Sequence, residues 1–358
     1  MITWVLKVVN MRATIKDVAK KSGFSITSVS LVLNNRENKI PEISRQLILQ
    51  TAEELGYRPN RLAVGLLKKK TKLLGLVIPD NSNMFFSELS KSVEIAARKR
   101  GYSLIYGNTS DVYSRDYEYL KLFVDHQVDG IVLTKSSHLP EKDDIRNMDF
   151  LQKSGVPFVV VDRQPKGFRS SMVTVNNVTG GYMATRYLIE QGHTRIGCFT
   201  GPLGLTTSQQ RLEGYKTALS EAGINYDESL VIEGNFSAGF EDKAMIRFIE
   251  EKVTGVFCQN DIMAFGIYRE ANKYGVKIPT DLSVIGYDNI NLCDIVYPGL
   301  TTIHQPIDQI GEESVRILSK LIEASDEEII VEVKELEPKL IIRSSVVIRT
   351  GGNTNENS

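Results

Sequence analysis

The sequence predicts an α/β protein with a small helical head followed by two doubly wound parallel sheets. Three observations predict this class. The first 71 residues carry helical periodicity, the charge changes sign near residue 72, and from there short apolar runs alternate with longer amphipathic ones. Such an alternation of buried strands and helices is typical of parallel sheets joined by right-handed crossovers.

The net charge of −1 over 358 residues conceals a cancellation between two parts of the chain. Residues 1–71 hold 13 lysines and arginines against 5 acidic residues, a net charge of +8, which leaves −9 for residues 72–358. A basic segment joined to an acidic body is typical of a nucleic-acid-binding domain beside a domain with another task. A basic solvated surface without a DNA partner is the alternative that charge alone leaves open.

Several protein classes are excluded by composition and motifs. The chain is 42% hydrophobic and 24% charged, which is ordinary for a folded soluble protein. Its three cysteines and four histidines show no disulfide or metal-ligand spacing, and no nucleotide-binding or hydrolase motif occurs. The opening segment 1–10 is too short to span a membrane and lacks a signal cleavage site. We therefore expect a cytoplasmic protein with no membrane partner, metal, cofactor or enzymatic activity.

Two short helices joined by a tight turn are predicted at the start of the head. Thr14 is followed three residues later by Asp17, which is the spacing of a capping box. Gly23 predicts the end of this helix, and Ser25 predicts the cap of the next. Helices joined in this way indicate a helix-turn-helix, whose second helix begins against base edges in the DNA major groove.

A third helix is predicted from Glu42 to Leu55, opened by Pro41. Its expected buried stripe consists of Ile43, Leu47, Ile48, Ala52 and Leu55. Residues 58–71 follow and would form a helix too short to be stable alone. They can be read as a plain linker or as a hinge helix that folds on DNA and inserts an apolar wedge into the minor groove.

The candidate DNA contacts fall into two groups. Those in the head are Thr14, Ser25, Ile26, Thr27, Ser28, Leu31 and Asn34. Those in the hinge are Asn60, Arg61, Ala63 and Leu66. Leu66 is the expected apolar wedge.

Polar and aromatic residues follow successive predicted strands of the body, where doubly wound sheets bind ligands. These residues are Asn83, Phe85, Phe86, Asp162, Arg163, Arg211, Phe236, Asn260, Asp288 and Gln305. Aromatic rings suit the C–H faces of a sugar, while carboxylate, amide and guanidinium groups suit its hydroxyls. Each polar residue taken alone is more often a cap or a loop residue, but their coincidence at strand ends favours a sugar site.

Longer motifs add a resemblance to a known family. The pattern T-I-K-D-V-A-x-x-S-G-x-S-x-x-S-V-S and the later G-Y-R-P-N-R-L-A resemble the head of the lactose/galactose repressor family. RLEGY, QNDIMA, VIGYDN and TTIHQP are similar to ribose-type repressors and periplasmic sugar-binding proteins. The resemblance covers 14–350 and implies a homodimer on a pseudo-palindromic operator, with a periplasmic-binding-protein-like body of two lobes. It also implies ligand contacts at the ten body residues.

The resemblance further implies a chain that crosses between the lobes. The expected domains are a head over 1–57, a hinge over 58–71, a first lobe over 72–171 with 304–331, a second lobe over 172–303 with 332–350, and a disordered tail over 351–358. Four residues depart from the family pattern. Leu31 replaces a frequent arginine, Met84 replaces a usual proline, and Thr134 with Lys135 stands where the ribose carrier has asparagine.

The predicted function is that of a transcriptional repressor whose operator affinity is switched by a small, ribose-like sugar. One alternative is a regulator that depends on a corepressor, either a sugar phosphate or a phosphoprotein bound to the first lobe. The other is a sugar-binding protein without DNA affinity, which the helix-turn-helix disfavours.

Overall fold

The computed structural model describes residues 13–34, 40–58, 70–138, 140–165, 167–237, 239–324 and 331–349. The chain divides into two compact units between Thr71 and Lys72. The predicted hinge contacts Asn60, Arg61, Ala63 and Leu66, and the predicted tail 351–358, lie outside the described residues. No described helix combines the length and the apolar character needed to cross a membrane.

The head contains three helices, α1 (Ile15–Ser22), α2 (Ile26–Leu33) and α3 (Glu42–Glu54). The Asp17 carboxylate accepts hydrogen bonds from the backbone N–H and the hydroxyl of Thr14, at 2.8 and 2.7 Å. Gly23 ends α1 at φ 78°, a left-handed conformation that glycine adopts without strain. The predicted caps and turn are confirmed. The buried core of the head is formed by Val18, Ala19, Val29, Val32, Ile48 and Ala52.

The predicted buried stripe of α3 is wrong at its first two positions. Ile43 is 84% exposed and Leu47 is 47% exposed, whereas Ile48 and Ala52 are buried. Two short helices cover only a narrow face of α3, and Thr51 lies on that face. Its hydroxyl donates to the Leu47 carbonyl at 2.7 Å, so a polar residue is buried with its hydrogen bond made.

The first sheet of the body is entirely parallel. Its strands are β1 (Leu73–Ile78), β2 (Ser103–Asn108), β3 (Gly130–Leu133), β4 (Phe158–Val161), β5 (Met172–Val175) and β11 (Val333–Leu336). Their order across the sheet is β11-β5-β4-β3-β1-β2. Leu74, Leu76 and Ile78 pack into a different hydrophobic cluster from Val77, because alternate residues of a strand face opposite sides.

The second sheet repeats this arrangement. Its strands are β6 (Ile196–Thr200), β7 (Val231–Glu233), β8 (Gly255–Cys258), β9 (Ser283–Asp288), β10 (Thr301–His304) and β12 (Lys339–Ile341). Their order is β12-β10-β9-β8-β6-β7, and β12 runs antiparallel to β10.

Helices cover both faces of each sheet, which confirms the doubly wound fold. The helices of the first lobe are α4 (Met84–Lys99), α5 (Ser114–Asp125), α6 (Glu141–Ser154) and α11 (Ile307–Glu323). Those of the second lobe are α7 (Asn177–Glu190), α8 (Thr206–Glu221), α9 (Glu241–Glu250) and α10 (Asp261–Lys273). Short 3₁₀ turns occur at Glu228–Leu230 and Asn291–Asp294.

The predicted lobe boundaries, 72–171 with 304–331 and 172–303 with 332–350, place the crossings too early. Met172–Val175 pairs with β4 and with Val333–Leu336, so both strands belong to the first sheet. His304 pairs with Asp288 and therefore still belongs to the second sheet. The chain completes each strand before it crosses, so the crossings fall at 176, 305–306 and 337–338.

Candidate functional site

The start of α2 presents the predicted DNA-reading residues to solvent. The Ser25 hydroxyl accepts from the Ser28 backbone N–H at 3.1 Å and so fixes the first turn of the helix. Ile26 is 46% exposed, and Thr27 beside it is also exposed. These side chains lie where a helix-turn-helix contacts base edges.

The remaining predicted contacts in the head are partly engaged within it. Thr14 donates its hydroxyl to Asp17, and the Asn34 amide donates to the Ser30 carbonyl at 2.8 Å. Ser28 and Leu31 are half-buried. The DNA contacts of the head stay predictions, with Ile26 and Thr27 the most accessible of them.

All ten body residues predicted as ligand contacts line one pocket, together with Thr207. We call it the cleft pocket, and it is lined by Asn83, Phe85, Phe86, Asp162, Arg163, Thr207, Arg211, Phe236, Asn260, Asp288 and Gln305. Its first five residues come from the first lobe and the other six from the second lobe or the crossing beside it. Its volume is about 20 Å³, roughly the space of one water molecule. A larger ligand therefore requires these side chains or the lobes to move.

Thr207 is the lining residue that the prediction missed. It lies in the first turn of α8, four residues before Arg211, and is buried. Residues four apart on a helix share a face, so Thr207 reaches the same pocket as Arg211. The spacing from Arg211 was the signal in the sequence that could have identified it.

The first-lobe wall of the cleft pocket is aromatic. The Asn83 side chain caps α4 by accepting from the Phe85 N–H at 3.0 Å. This cap sets the first turn of α4, in which Phe85 and Phe86 meet edge to face with ring centroids 5.1 Å apart. The guanidinium carbon of Arg163 lies 5.1 Å from the centroid of the Phe86 ring. Arg163 therefore faces an apolar ring rather than water.

Arg163 is fixed by backbone as well as by charge. Its Nη1 donates to the Lys135 carbonyl at 2.8 Å and lies 3.4 Å from Asp111 Oδ1. Its buried Nε has no hydrogen-bond partner in the described part of the chain. The Lys135 side chain forms a buried ion pair with Asp144, so this departure from the family pattern contributes only its carbonyl.

Arg211 is held from three sides. Its Nε donates to Asn177 Oδ1 at 2.8 Å, and its Nη1 donates to the Gln259 carbonyl at 2.6 Å. Its guanidinium carbon lies 3.7 Å from the centroid of the Tyr287 ring. These contacts preorganise the arginine, because its rotamer is already restricted without a ligand.

The position of Arg211 depends on backbone contact between two helices. A Cβ on Gly181 of α7 would lie 2.1 Å from the carbonyl oxygen of Arg211, and one on Gly214 of α8 would lie 2.1 Å from the carbonyl oxygen of Val178. Only glycine permits so close an approach. The two glycines thus bring the start of α7, with Asn177, against Arg211.

Asp288 and Gln305 form the floor of the cleft pocket. Gln305 Nε2 donates to Asp288 Oδ1 at 2.7 Å. Burial raises the pKa of Asp288 well above its usual value, although Arg211 opposes the shift. The buried Oε1 of Gln305 has no hydrogen-bond partner within the described residues. Gln305 Oε1 is thus an acceptor available to a ligand, close to the buried Asp288 side chain.

Phe236 and Asn260 close the second-lobe side. Asn260 caps α10 by accepting from the Met263 N–H at 2.9 Å and donates to the Phe236 carbonyl at 3.0 Å. A Cβ on Gly201 would lie 2.1 Å from the Phe236 ring, so that glycine leaves room for the ring. The Asn260 amide thus fixes the loop that carries the Phe236 side chain.

A larger cavity adjoins the cleft pocket and shares Asp162 and Thr207 with it. This side cavity has a volume of about 530 Å³. Its other lining residues are Gln164, Phe168, Arg169, Ser170, Met172, Thr174, Thr206, Gln210, Val331, Val333 and Glu335. Among the described residues, no group of three or more His, Cys, Asp and Glu side chains could hold a metal ion.

Two family descriptions match the chain. Residues 14–60 match "Bacterial regulatory proteins, lacI family", and residues 185–346 match "Periplasmic binding protein-like domain". An HTH-type transcriptional repressor PurR from Vibrio atlanticus (strain LGP32) is 38% identical over 336 residues, which are 93% of this chain and 98% of that protein. A repressor of the same name from Aliivibrio fischeri (strain MJ11) is 36% identical over 94% of this chain and 99% of that protein.

Solved structures of transcriptional regulators are also similar to this chain. A LacI family transcriptional regulator from Enterococcus faecium with bound ribose is 32% identical, with a TM-score of 0.69, over 78% of this chain and 100% of that chain. The transcriptional regulator CelR in complex with cellobiose is 30% identical, with a TM-score of 0.69, over 93% of this chain and 100% of that chain. The Lac repressor dimer bound to operator, 24% identical with a TM-score of 0.82, shows the same fold over 94% of this chain and 100% of that chain.

The relatives named above are transcriptional repressors and regulators rather than enzymes. Their similarity extends along both the head and the body. This chain belongs to the LacI family of DNA-binding, ligand-regulated transcriptional repressors.

Proposed function

We propose that this protein represses transcription from a pseudo-palindromic operator and that a small neutral sugar in the cleft pocket switches its operator affinity. The observation that supports the sugar is a pair of buried polar atoms, on two residues that line the pocket, that lack a hydrogen-bond partner in the described chain, with Arg163 Nε 3.9 Å from Asp162 Oδ2. Arg163 Nε–H is a buried donor and Gln305 Oε1 a buried acceptor, both without a hydrogen-bond partner in the described chain. A hydroxyl group both donates and accepts, so a polyol can satisfy both atoms.

The chemistry of the cleft pocket supports a ligand with several hydroxyl groups. Asp162 and Asp288 place carboxyl groups beside the guanidinium groups of Arg163 and Arg211, and each of these groups can bind a hydroxyl. The rings of Phe85, Phe86 and Phe236 supply apolar faces, as the C–H faces of a sugar ring require. The ribose in one solved relative and the cellobiose in another indicate that related pockets take one or two sugar rings. The side cavity leaves room for a ligand that extends beyond a single ring.

A groove on the first lobe gives little support to a phosphoprotein partner. The groove lies between α4 and α11 and is lined by Lys99 and Lys334, but also by Asp308, Glu312 and Glu313. Glu312 accepts from Arg100 at 2.7 Å. A phosphoryl group binds where cations are in excess, and here acidic residues outnumber the lysines. We therefore retain a sugar, rather than a phosphoprotein, as the proposed effector.

The protein is proposed to act as a homodimer in the cytoplasm, where its operator DNA lies. Exposed apolar side chains of the second lobe favour association, since Tyr297 is 95% exposed and Ile295 is 75% exposed. Two copies would present two heads to the two half-sites of an operator. Sedimentation of the full chain at micromolar concentration tests the dimer, and a monomer at that concentration would contradict it.

A thermal-shift panel tests the effector. The full chain is heated with pentoses, hexoses, disaccharides, their phosphates and purine bases, because a ligand of the folded state at 100 times its Kd adds about 2.7 kcal/mol of stability. Each ligand found is then added to the protein on a DNA site selected from a random library. The expected result is a neutral sugar that both raises Tm and changes operator affinity. A response only to purines or phosphorylated compounds would overturn the sugar proposal.

A further inference from the structure

The side chain of Asn177 joins the two lobes at the point where the chain first crosses. Asn177 is buried and is the first residue of α7. Its Oδ1 accepts from Arg211 Nε at 2.8 Å and from the Tyr287 hydroxyl at 3.2 Å, both in the second lobe. Its Nδ2 donates to the Val175 carbonyl at 3.0 Å, at the end of the first-lobe strand β5. One planar amide thus connects the cleft-pocket arginine to the backbone of the crossing.

Capping of α7 does not account for this residue. The cap is provided by Asn176, whose Oδ1 accepts from the Thr179 N–H at 3.0 Å. The Asn176 backbone N–H also donates to the Leu336 carbonyl at 2.9 Å, so the first crossing is bound to the third. A displacement at Asn177 would therefore reach two of the three crossings.

We propose that Asn177 is a positioning residue through which the location of the Arg211 side chain sets the angle between the lobes. The inference rests on the proposed function, in which Arg211 contacts the effector. The donor and acceptor of an amide are fixed in one plane. A ligand that shifts the Arg211 side chain within the pocket would therefore rotate the amide and alter its bond to Val175. The amide converts a local movement of one arginine into a change of lobe angle.

The substitution Asn177→Asp separates the two halves of this connection. A carboxylate keeps the acceptors for Arg211 and Tyr287 but has no donor for the Val175 carbonyl. Asn177→Asp therefore leaves Arg211 anchored and removes both bonds of Nδ2, at 3.0 Å to the first-lobe Val175 carbonyl and at 3.5 Å to Gln210 Oε1. Asn177→Ala removes both halves. Asn176→Ala is the matched control, because it removes the neighbouring cap and leaves the connection intact.

The distance between the lobes can be measured without knowing the effector. In the full chain, Lys121→Cys in α5 and Lys243→Cys in α9 place spin labels on exposed positions of the two lobes. The native cysteines are buried, and the parent chain controls for their labelling. Double electron–electron resonance then gives the distance distribution. We expect Asn177→Asp and Asn177→Ala to broaden it about twofold, and Asn176→Ala to leave it narrow.

A second measurement distinguishes a failure of the Asn177 connection from a failure of ribose to bind. Ribose is added as the probe to the labelled wild type and to Asn177→Asp, with Tm recorded for each. We expect both to bind ribose, and only the wild type to shift its distance and to change operator affinity by the 5- to 150-fold typical of such coupling. A wild-type distribution in both Asn177 variants would overturn the inference while leaving the sugar site intact. A broadened distribution without ribose binding would support the connection and reject ribose alone.

Discussion

The Arg211 guanidinium carbon lies 3.7 Å from the centroid of the Tyr287 ring. Both side chains also donate to the same oxygen, Asn177 Oδ1, at 2.8 and 3.2 Å. The arginine is therefore oriented by ring stacking and by hydrogen bonds at the same time. An ammonium group cannot reproduce this geometry, because it lacks the planar fork that stacks on a ring while donating in two directions.

Replacing Arg211 should separate sugar sensing from DNA binding. We expect Arg211→Ala to weaken sugar binding about 10- to 100-fold, since hydrogen bonds to a charged group contribute about 1.5–3 kcal/mol. Without sugar the variant should still bind its operator, because the substitution leaves the helix-turn-helix head unchanged. Arg211→Lys should fail to restore the response. Calorimetric titration with the sugar and fluorescence anisotropy with the operator measure the two properties, and an unchanged sugar response would remove Arg211 from the site.

The close approach of α7 and α8 predicts a severe effect at one glycine. A Cβ on Gly181 would lie 2.1 Å from the Arg211 carbonyl oxygen, which is backbone and cannot move aside alone. Gly181→Ala should therefore lower the free energy of unfolding by about 1–3 kcal/mol or more. Gly204→Ala is the control, because a Cβ there meets no heavy atom within 4 Å. Urea unfolding compares the two variants, and equal stability would show that the helices can separate at little cost.

A buried carboxyl of the first lobe predicts a pH-dependent stability. Burial raises the pKa of Asp116 from 3.8 to about 6, with hydrogen bonds from Ser136 and the charge of Arg163 opposing the shift and Asp111 adding to it. The folded state thus binds the proton more tightly than the unfolded state. The cost of ionising this group is absent below the unfolded pKa and complete above about 6. Stability from Asp116 therefore falls by about 2–3 kcal/mol as pH rises between these values.

Asp116→Asn tests this dependence. The free energy of unfolding of the wild type minus that of the variant should fall across the same pH range, because an amide does not titrate. Urea unfolding at several pH values from 4 to 7.5 gives this difference. The exposed Asp125→Asn on the same helix is the matched control. A difference that is constant with pH would show that Asp116 is not protonated in the folded protein.

In the head, substitutions at the start of α2 should affect specificity, and those elsewhere should affect overall affinity. We expect Thr27→Ala to reduce discrimination between the selected operator and scrambled DNA by about 1–3 kcal/mol. Lys16 is an exposed lysine of α1, so Lys16→Ala should instead weaken binding to both DNAs equally and reduce the slope of log K against log salt by about 1. Anisotropy titrations at several salt concentrations measure both. If Thr27→Ala weakened both DNAs equally, Thr27 would be assigned to the phosphate backbone.

The cleft pocket was largely predictable because most of its residues lie in the segments that come after buried strands. Phe257 and Cys258 lie at the end of an apolar run, so the position of Asn260 beyond a strand end was readable from the sequence. Thr207 was missed because a single threonine in the first turn of a helix has neither the charge nor the ring that marked Arg211, four residues later, as a candidate contact. The anchoring of Arg211 by Asn177 was also unreadable, because the two residues are 34 positions apart and meet only when α7 packs on α8.

The lobe boundaries were harder to predict for a different reason. Val333, Lys334 and Glu335 are exposed, and the strand they form lies at the edge of its sheet. An edge strand with charged residues lacks the apolar run that marks a buried parallel strand. The prediction of the buried residues of α3 was also partly wrong. Periodicity identifies the apolar face of a helix, but it does not show how much of that face two short neighbouring helices can cover.

The crossed connectivity of the body also determines when each lobe can be finished during synthesis. One edge strand of the first sheet is Val333–Leu336, and one edge strand of the second is Lys339–Ile341. A ribosome must therefore translate every other strand of both sheets before it supplies the last strand of either. A chain truncated before residue 333 therefore lacks one strand of each sheet, and β5 and β10 become unpaired edge strands.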